Sequence, residues 1–293
     1  ILMAALKDIK RKITAVSKTK QITKAMNMVA ASKFKAAQTR MENFRPYAVK
    51  FMDVLNSLAL RVSPESHPLL AVREPKKIRV ICMTSDRGLC GGFNTNLIKA
   101  TERFMAAKAR EGKEIALIPI GRKGRDYFRK KAAILNERTD VFGKFDISLA
   151  VQIAKDIIPP FIKEEYDELY LVYNEFRNVS MQRPAVVRLF PLPSIGQDEE
   201  VDPEKRVDYI YEPSDEVLLD QLLPMYVRVL IFRALVETSA GENGARMAAM
   251  DNATRNCEDM IGSLSLKYNK ARQSAITAEL MDIVGGTEAL AKG

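Results

Sequence analysis

The chain has 293 residues, 47% of them hydrophobic, with a formal net charge of +9, enough for a sizeable core or two domains. One histidine, His67, and three dispersed cysteines, Cys82, Cys90 and Cys257, exclude a disulfide framework, a zinc knuckle and any mechanism that needs two histidines of this chain. No apolar run is long enough to span a bilayer; the best, residues 226–236, is cut by Arg228 and Arg233.

The charge sits at the start. Residues 1–50 hold twelve Lys/Arg against two acids, Asp8 and Glu42, a net +10, so the other 243 residues sum to −1. The first proline is Pro46 and the first glycine is Gly88. Residues 3–45 as one helix would measure roughly 65 Å. A run of that length without caps points to a coiled coil or a protruding arm. Leu6, Ile9, Ile13 and Val16 recur at three and four, the a/d spacing of a two-helix seam. The stripe then shifts to Ile22, Met26 and Val29, which predicts a stutter in the winding. Pro46 is a candidate interruption, and Pro64 and Pro68 end the zone. Six apolar residues followed by dense charge do not read as a secretory signal, and Met3 reads as the original start.

Residues 73–206 change pattern. Residues 78–83 (IRVICM) read as a buried strand, followed by a glycine-rich loop, 86–92, and a helix over 95–110. Residues 115–120 (IALIPI) form a second strand before a turn at 121–124. Residues 169–173 and 186–190 are further strands. Strands alternating with helices predict an α/β unit with a largely parallel sheet.

A short strand at 208–212 opens the last zone. From Ser214 the chain is helical almost to its end, with Ser214 or Asp215 as cap and Pro224 as a possible kink. Met250, Cys257, Leu264 and Ala271 recur every seven residues, as do Thr254, Ile261, Tyr268 and Ala275, offset by four. That is an a/d seam of about three heptads. The economical arrangement pairs the two terminal helices, over 1–62 and 207–293, as a long antiparallel coiled coil, with a Rossmann-like α/β domain over 73–206 inserted between them. The alternative packs each helix separately on the domain.

The chemistry-bearing patterns are weak. Gly88, Gly91 and Gly92 match neither the G-x-G-x-x-G dinucleotide fingerprint nor a P-loop, and read as structural turns. His67 lies in a proline-flanked loop and reads as solvated. Cys90 has no evident base and reads as a partly buried thiol. Glu164-Glu165 and Glu199-Glu200 read as solvated faces, since adjacent carboxylates do not converge on one atom. The basic helix is a candidate for tracking a phosphate backbone, yet Phe34 is its only aromatic before Phe44. A basic-helix nucleic-acid binder and a Rossmann-type enzyme therefore stand as alternatives.

Three segments together resemble the gamma subunits of F-type ATP synthases: residues 22–33 (ITKAMNMVAASK), 85–92 (SDRGLCGG), and 268–277 (YNKARQSAIT) followed by Glu279 and Leu280. The resemblance spans nearly the whole chain, and the joint occurrence is specific where no single motif is. It implies a rotor shaft inside a ring of three alpha and three beta subunits, with an epsilon subunit and a membrane c-ring as further partners. It implies no active site, no cofactor and no nucleic-acid partner. By that resemblance Arg272, Gln273, Thr277 and Glu279 lie on the C-terminal side of the rotor–stator contact, and Lys24 and Met26 on its N-terminal side. Tyr209, Tyr211 and Glu212 match the segment near the c-ring. Leu280, Met281, Ile283, Val284 and Leu290 are the expected apolar tip, and the basic face suits acidic lever segments of the beta subunits. Chloroplast relatives carry an inserted cysteine pair; no such insert is present here, so no thiol regulation is expected. The lack of a transit peptide favours a bacterial source and the cytoplasmic face of its plasma membrane.

Overall fold

The computed structural model describes residues 2–59, 67–143, 145–179, 181–192 and 215–291. Helix α1 covers Leu2–Ala59, and helix α5 covers Asp215–Ala291. Between them lie strand β1 (Lys77–Met83), helix α2 (Phe93–Arg110), β2 (Glu114–Ile120), α3 (Arg122–Phe128), β3 (Ala133–Ile134), α4 (Ile147–Ile162), β4 (Glu168–Asn178) and β5 (Met181–Phe190). The predicted strand at 208–212 and its Tyr209, Tyr211 and Glu212 lie outside the described residues, as does Ser214. The chain divides into two compact units. One comprises Ile1–Ala30 with Met247–Gly293; the other is Ala31–Arg246.

The sheet of the larger unit has the order β3-β2-β1-β4-β5, parallel except for β5. Central β1 has a parallel neighbour on each side, which is why its sequence is an almost unbroken apolar run. Its side chains alternate between two cores. Ile78, Val80 and Cys82 pack with Leu97 and Ile98 of α2. Ile81 and Met83 face the other way, toward α4 and the parts of α1 and α5 in this unit. There Phe161 stacks on Phe190 at 4.8 Å, Phe51 on Tyr226 at 6.5 Å, and Phe44 meets Phe232 edge-on at 4.8 Å. This is the Rossmann-like layering expected from the alternation of strands and helices.

Several local expectations need correction. Helix α1 runs through Pro46, whose side is exposed, so that proline does not interrupt it. Residues 121–124 are not an isolated turn: Gly121 caps α3, which begins at Arg122. Helix α4 is missing from the expected elements although Leu149, Ile153, Ala154, Ile157 and Phe161 recur at helical spacing after the capping Asp146; Pro159 and Pro160, which read as breakers, sit in its last turn, and β3 has only two residues. His67 is not solvated but 7% exposed. Its Nδ1 accepts the Leu69 N–H at 3.0 Å, capping the 3-10 turn Pro68–Leu70, and its Nε2 lies 3.4 Å from Asp220.

Gly121 shows why the β1 and β2 ends can approach. Its φ is +100°, and a Cβ there would stand 2.0 Å from the Thr84 carbonyl oxygen. Gly112, at φ +76°, has nothing within 4 Å of the same point. Gly121→Ala is therefore expected to lower stability by at least about 2 kcal/mol, because strain and overpacking add. Gly112→Ala should lower it by about 1 kcal/mol, from strain alone. Denaturant unfolding of both variants beside the parent measures the difference. Burial also pushes the His67 imidazole below its ordinary value, with Asp220 opposing. The folded state prefers the neutral ring, so protonation favours unfolding. Stability is full above about pH 6.5 and falls as pH drops from there toward the lowered folded value. His67→Gln should flatten that slope in unfolding curves taken between about pH 7.5 and 5.

Candidate functional site

In a sheet of this order the crevice lies beyond the carboxyl end of β1, where the strand order reverses. The glycine-rich loop occupies that place, and the protein's own groups take up its polar atoms. Asn94 Oδ1 accepts the Ser85 N–H at 2.9 Å, and Asn94 Nδ2 donates to Ser85 Oγ at 2.7 Å and to Cys90 Sγ at 3.2 Å. The Asp86 carboxylate accepts backbone N–H groups of Arg122, Asp140 and Phe142 at 2.8–3.2 Å. Arg246 of α5 donates to the Gly88 carbonyl at 3.2 Å and pairs with Glu242 at 2.7 Å. Gly241, one helical turn before, leaves room for the Phe93 ring at the start of α2. Burial raises the Glu242 carboxyl above its ordinary value, opposed by the adjacent Arg246 guanidinium. Burial also pushes Cys82 up to about 12 and raises Cys90, so both stay as thiols near neutrality. Among the described residues no three His, Cys, Asp or Glu side chains are grouped to hold a metal.

The smaller unit is a helix pair. In α5 the more buried positions include 250, 254, 257, 261, 264, 268, 271 and 275, the two predicted seven-residue series. In α1 they include 9, 13, 16, 20, 23, 27 and 30, an unbroken alternation of fours and threes. The expected stutter is therefore corrected. Ile22 and Val29 are 59% and 58% exposed, and Thr23 and Asn27 point inward instead. The apolar stripe misled because this stretch of the seam is polar. Thr23 Oγ1 lies 2.8 Å from Thr254 Oγ1, Asn27 Nδ2 donates to the Met247 carbonyl at 2.8 Å, and Lys20 Nζ pairs with Glu258 at 2.8 Å. Rising numbers in α1 meet falling numbers in α5, so the pair is antiparallel.

This register locates the expected contact residues. Counting from the Thr23–Thr254 pair, the start of α1 at Leu2 reaches the level of Ala275. In the α5 turns beyond that level Leu280, Met281, Ile283 and Val284 are all exposed. Leu290 lies in the same stretch of helix. Arg272, Gln273, Thr277 and Glu279 are exposed side chains around this end, with Thr277 Oγ1 donating to the Gln273 carbonyl at 3.0 Å. Lys24, exposed, and Met26, half-buried, sit level with Thr254. The structure thus gathers four of the six residues and sets Lys24 and Met26 about 20 residues of helix from Arg272, roughly 30 Å. The residues that sequence reasoning passed over are the polar seam and the Glu242–Arg246 pair. For the pair, the only signal was an acid and a base four apart in a nearly uncharged run.

A family profile described as ATP synthase matches residues 5–290. An ATP synthase gamma chain of Syntrophus aciditrophicus is 74% identical over 291 residues, covering 99% of this chain and all of that one. One from Nitratidesulfovibrio vulgaris is 50% identical, covering 98% and 99%. Among solved structures, a chain of the Tetrahymena thermophila mitochondrial ATP synthase central stalk and c-ring matches with TM-score 0.58 at 26% identity, over 79% of this chain and 99% of that one. A chain of the Euglena gracilis mitochondrial ATP synthase matches with TM-score 0.67 at 19% identity, over 98% and 95%, a likeness of fold.

The polar seam makes a direct prediction. Thr23→Val and Thr254→Val should each cost about 1 kcal/mol, and the double variant less than their sum, because the second change removes a group already without its partner. Thermal unfolding of the two single variants and the double variant reads the coupling.

Proposed function

Because this chain belongs to the gamma-chain family of ATP synthases, we propose that it works as the central-stalk rotor, without an active site of its own. In this reading it carries rotation between a membrane c-ring and a ring of three alpha and three beta subunits. The observation that carries the reading is the helix pair: an antiparallel seam on an α5 that continues to Ala291 and exposes Leu280, Met281, Ile283 and Val284. Two helices joined along a seam resist bending and untwisting better than one. Exposed apolar side chains of mixed size slide past similar environments without deep directional contacts. The engagement of the crevice loop by Asn94, Asp86 and Arg246 supports a scaffold role for the α/β unit.

Arg272, Gln273, Thr277 and Glu279 form the stator contact near the helix end in this proposal, and Lys24 and Met26 a second contact lower on the pair. Tyr209, Tyr211 and Glu212 face the c-ring, and an epsilon subunit completes the rotor. Each orientation of the rotor favours a different state of each beta subunit, and the coupling is reciprocal. No described helix is long and apolar enough to cross a membrane. Membrane association is then peripheral, through the complex, at the cytoplasmic face of a bacterial plasma membrane. Neither the relatives nor the use of the basic helix in a protein–protein seam supports the nucleic-acid alternative.

Mixing the full chain with alpha and beta subunits of a matched source tests the proposal. ATP hydrolysis should rise, with one copy of this chain in each complex. A folded chain that forms no complex and leaves hydrolysis unchanged would overturn it. In the membrane-bound complex, Arg272→Ala with Gln273→Ala should lower the number of ions pumped per ATP hydrolysed, while a substitution on the exposed face of α2 should leave it unchanged.

A further inference from the structure

The crevice beyond β1, which in this type of fold ordinarily receives a ligand, here receives a side chain of α5. Arg246 Nε and Nη2 lie 3.4 and 3.2 Å from the Gly88 carbonyl oxygen, and Nη2 lies 3.4 Å from that of Arg87. Nη2 also donates to Glu242 Oε1 at 2.7 Å, and Nη1 to Asn243 Oδ1 at 3.4 Å. The Arg246 and Glu242 side chains are only 12% and 8% exposed. A planar fork of five donors can serve two carbonyls and a carboxylate at once, which an ammonium group cannot do in fixed geometry. The loop on which it closes is itself rigid, tied by Asn94 to Ser85 and Cys90.

We infer that Arg246 is a positioning residue: its guanidinium acts as a built-in ligand that locks the loop over 85–92, and with it the end of β1 and the start of α2, to α5. Twist applied to α5 then reaches the sheet through this fork as well as through apolar contact, which resists separation better than it resists sliding. The geometric part stands on its own distances. The consequence for twist rests on the rotor reading.

Hydrogen exchange on the purified full chain tests the lock. In Arg246→Ala, amides over 86–93 should exchange at least about tenfold faster, while those of β2 keep their protection. Arg246→Lys, which retains a charge opposite Glu242 but not the fork, should fall between. Low concentrations of guanidinium ion should restore protection in Arg246→Ala and do nothing to the parent. Unchanged loop protection in a folded variant, or equal loss across the whole sheet, overturns the inference. Should Arg246→Ala not fold, Arg246→Lys carries the same comparison. In the membrane-bound complex, ions pumped per ATP hydrolysed should fall about threefold in Arg246→Ala and less in Arg246→Lys. An unchanged ratio overturns the transmission of twist. If the parent chain itself fails to assemble, the rotor reading falls, and the exchange result still decides the lock.

Discussion

The burial of α5 is the constraint on which the rest of the larger unit depends. Through residues 229–243 almost every side chain is buried, including Glu237, Thr238, Ser239, Glu242 and Asn243. Apolar contacts with α1, α4 and the sheet account for one side of this environment. A carboxylate placed there needs a partner, because desolvating an unpaired charge costs several kcal/mol. Glu237 has Arg233 at 2.8 Å and the Phe176 N–H at 3.4 Å; Glu242 has Arg246. These pairs place α5 against β4 and the β1 loop in one orientation, where apolar packing alone would allow several.

The same pairing requirement explains the seam of the smaller unit. An all-apolar a/d seam would be more stable but would tolerate slippage by a heptad. Thr23, Asn27 and Lys20 exchange some stability for register, since only one alignment gives each of them a partner. The Lys20–Glu258 pair is partly exposed and contributes little energy, so its part is in alignment. Beyond Ala275 the α5 surface exposes Ile276, Leu280, Met281, Ile283 and Val284. A helix end of this kind is tolerable in an assembled complex, where a partner covers the patch.

Much of this was legible beforehand, for identifiable reasons. Residues 78–83 and 115–120 read as strands because parallel strands buried on both faces leave near-continuous apolar runs. The α5 series from Met250 to Ala275 was read correctly because its seam positions are mostly apolar at a strict period. The α1 seam beyond Val16 lies one position from the apolar stripe because its inward Lys20, Thr23 and Asn27 are polar while the neighbouring Ile22 and Val29 are apolar and exposed. Periodicity registers hydrophobicity, whatever the direction in which a side chain points. His67 differs from its reading for a related reason: a polar ring that caps a backbone turn is welcome in a core, and Pro68 at the first position of that turn was its one signal.

By itself the sequence determined the classes of element, the presence of a seam at each end and, through three joint motifs, the family. These are local or linear properties, carried by period, composition and order along the chain. Only the tertiary structure decided which helix faces meet, that Lys24 and Met26 stand roughly 30 Å from Arg272, and that the glycine-rich loop holds an arginine from α5. The loop and Arg246 are 158 residues apart in sequence. Their hydrogen bonds depend on the close approach of two backbones, and no spacing in the chain encodes that distance.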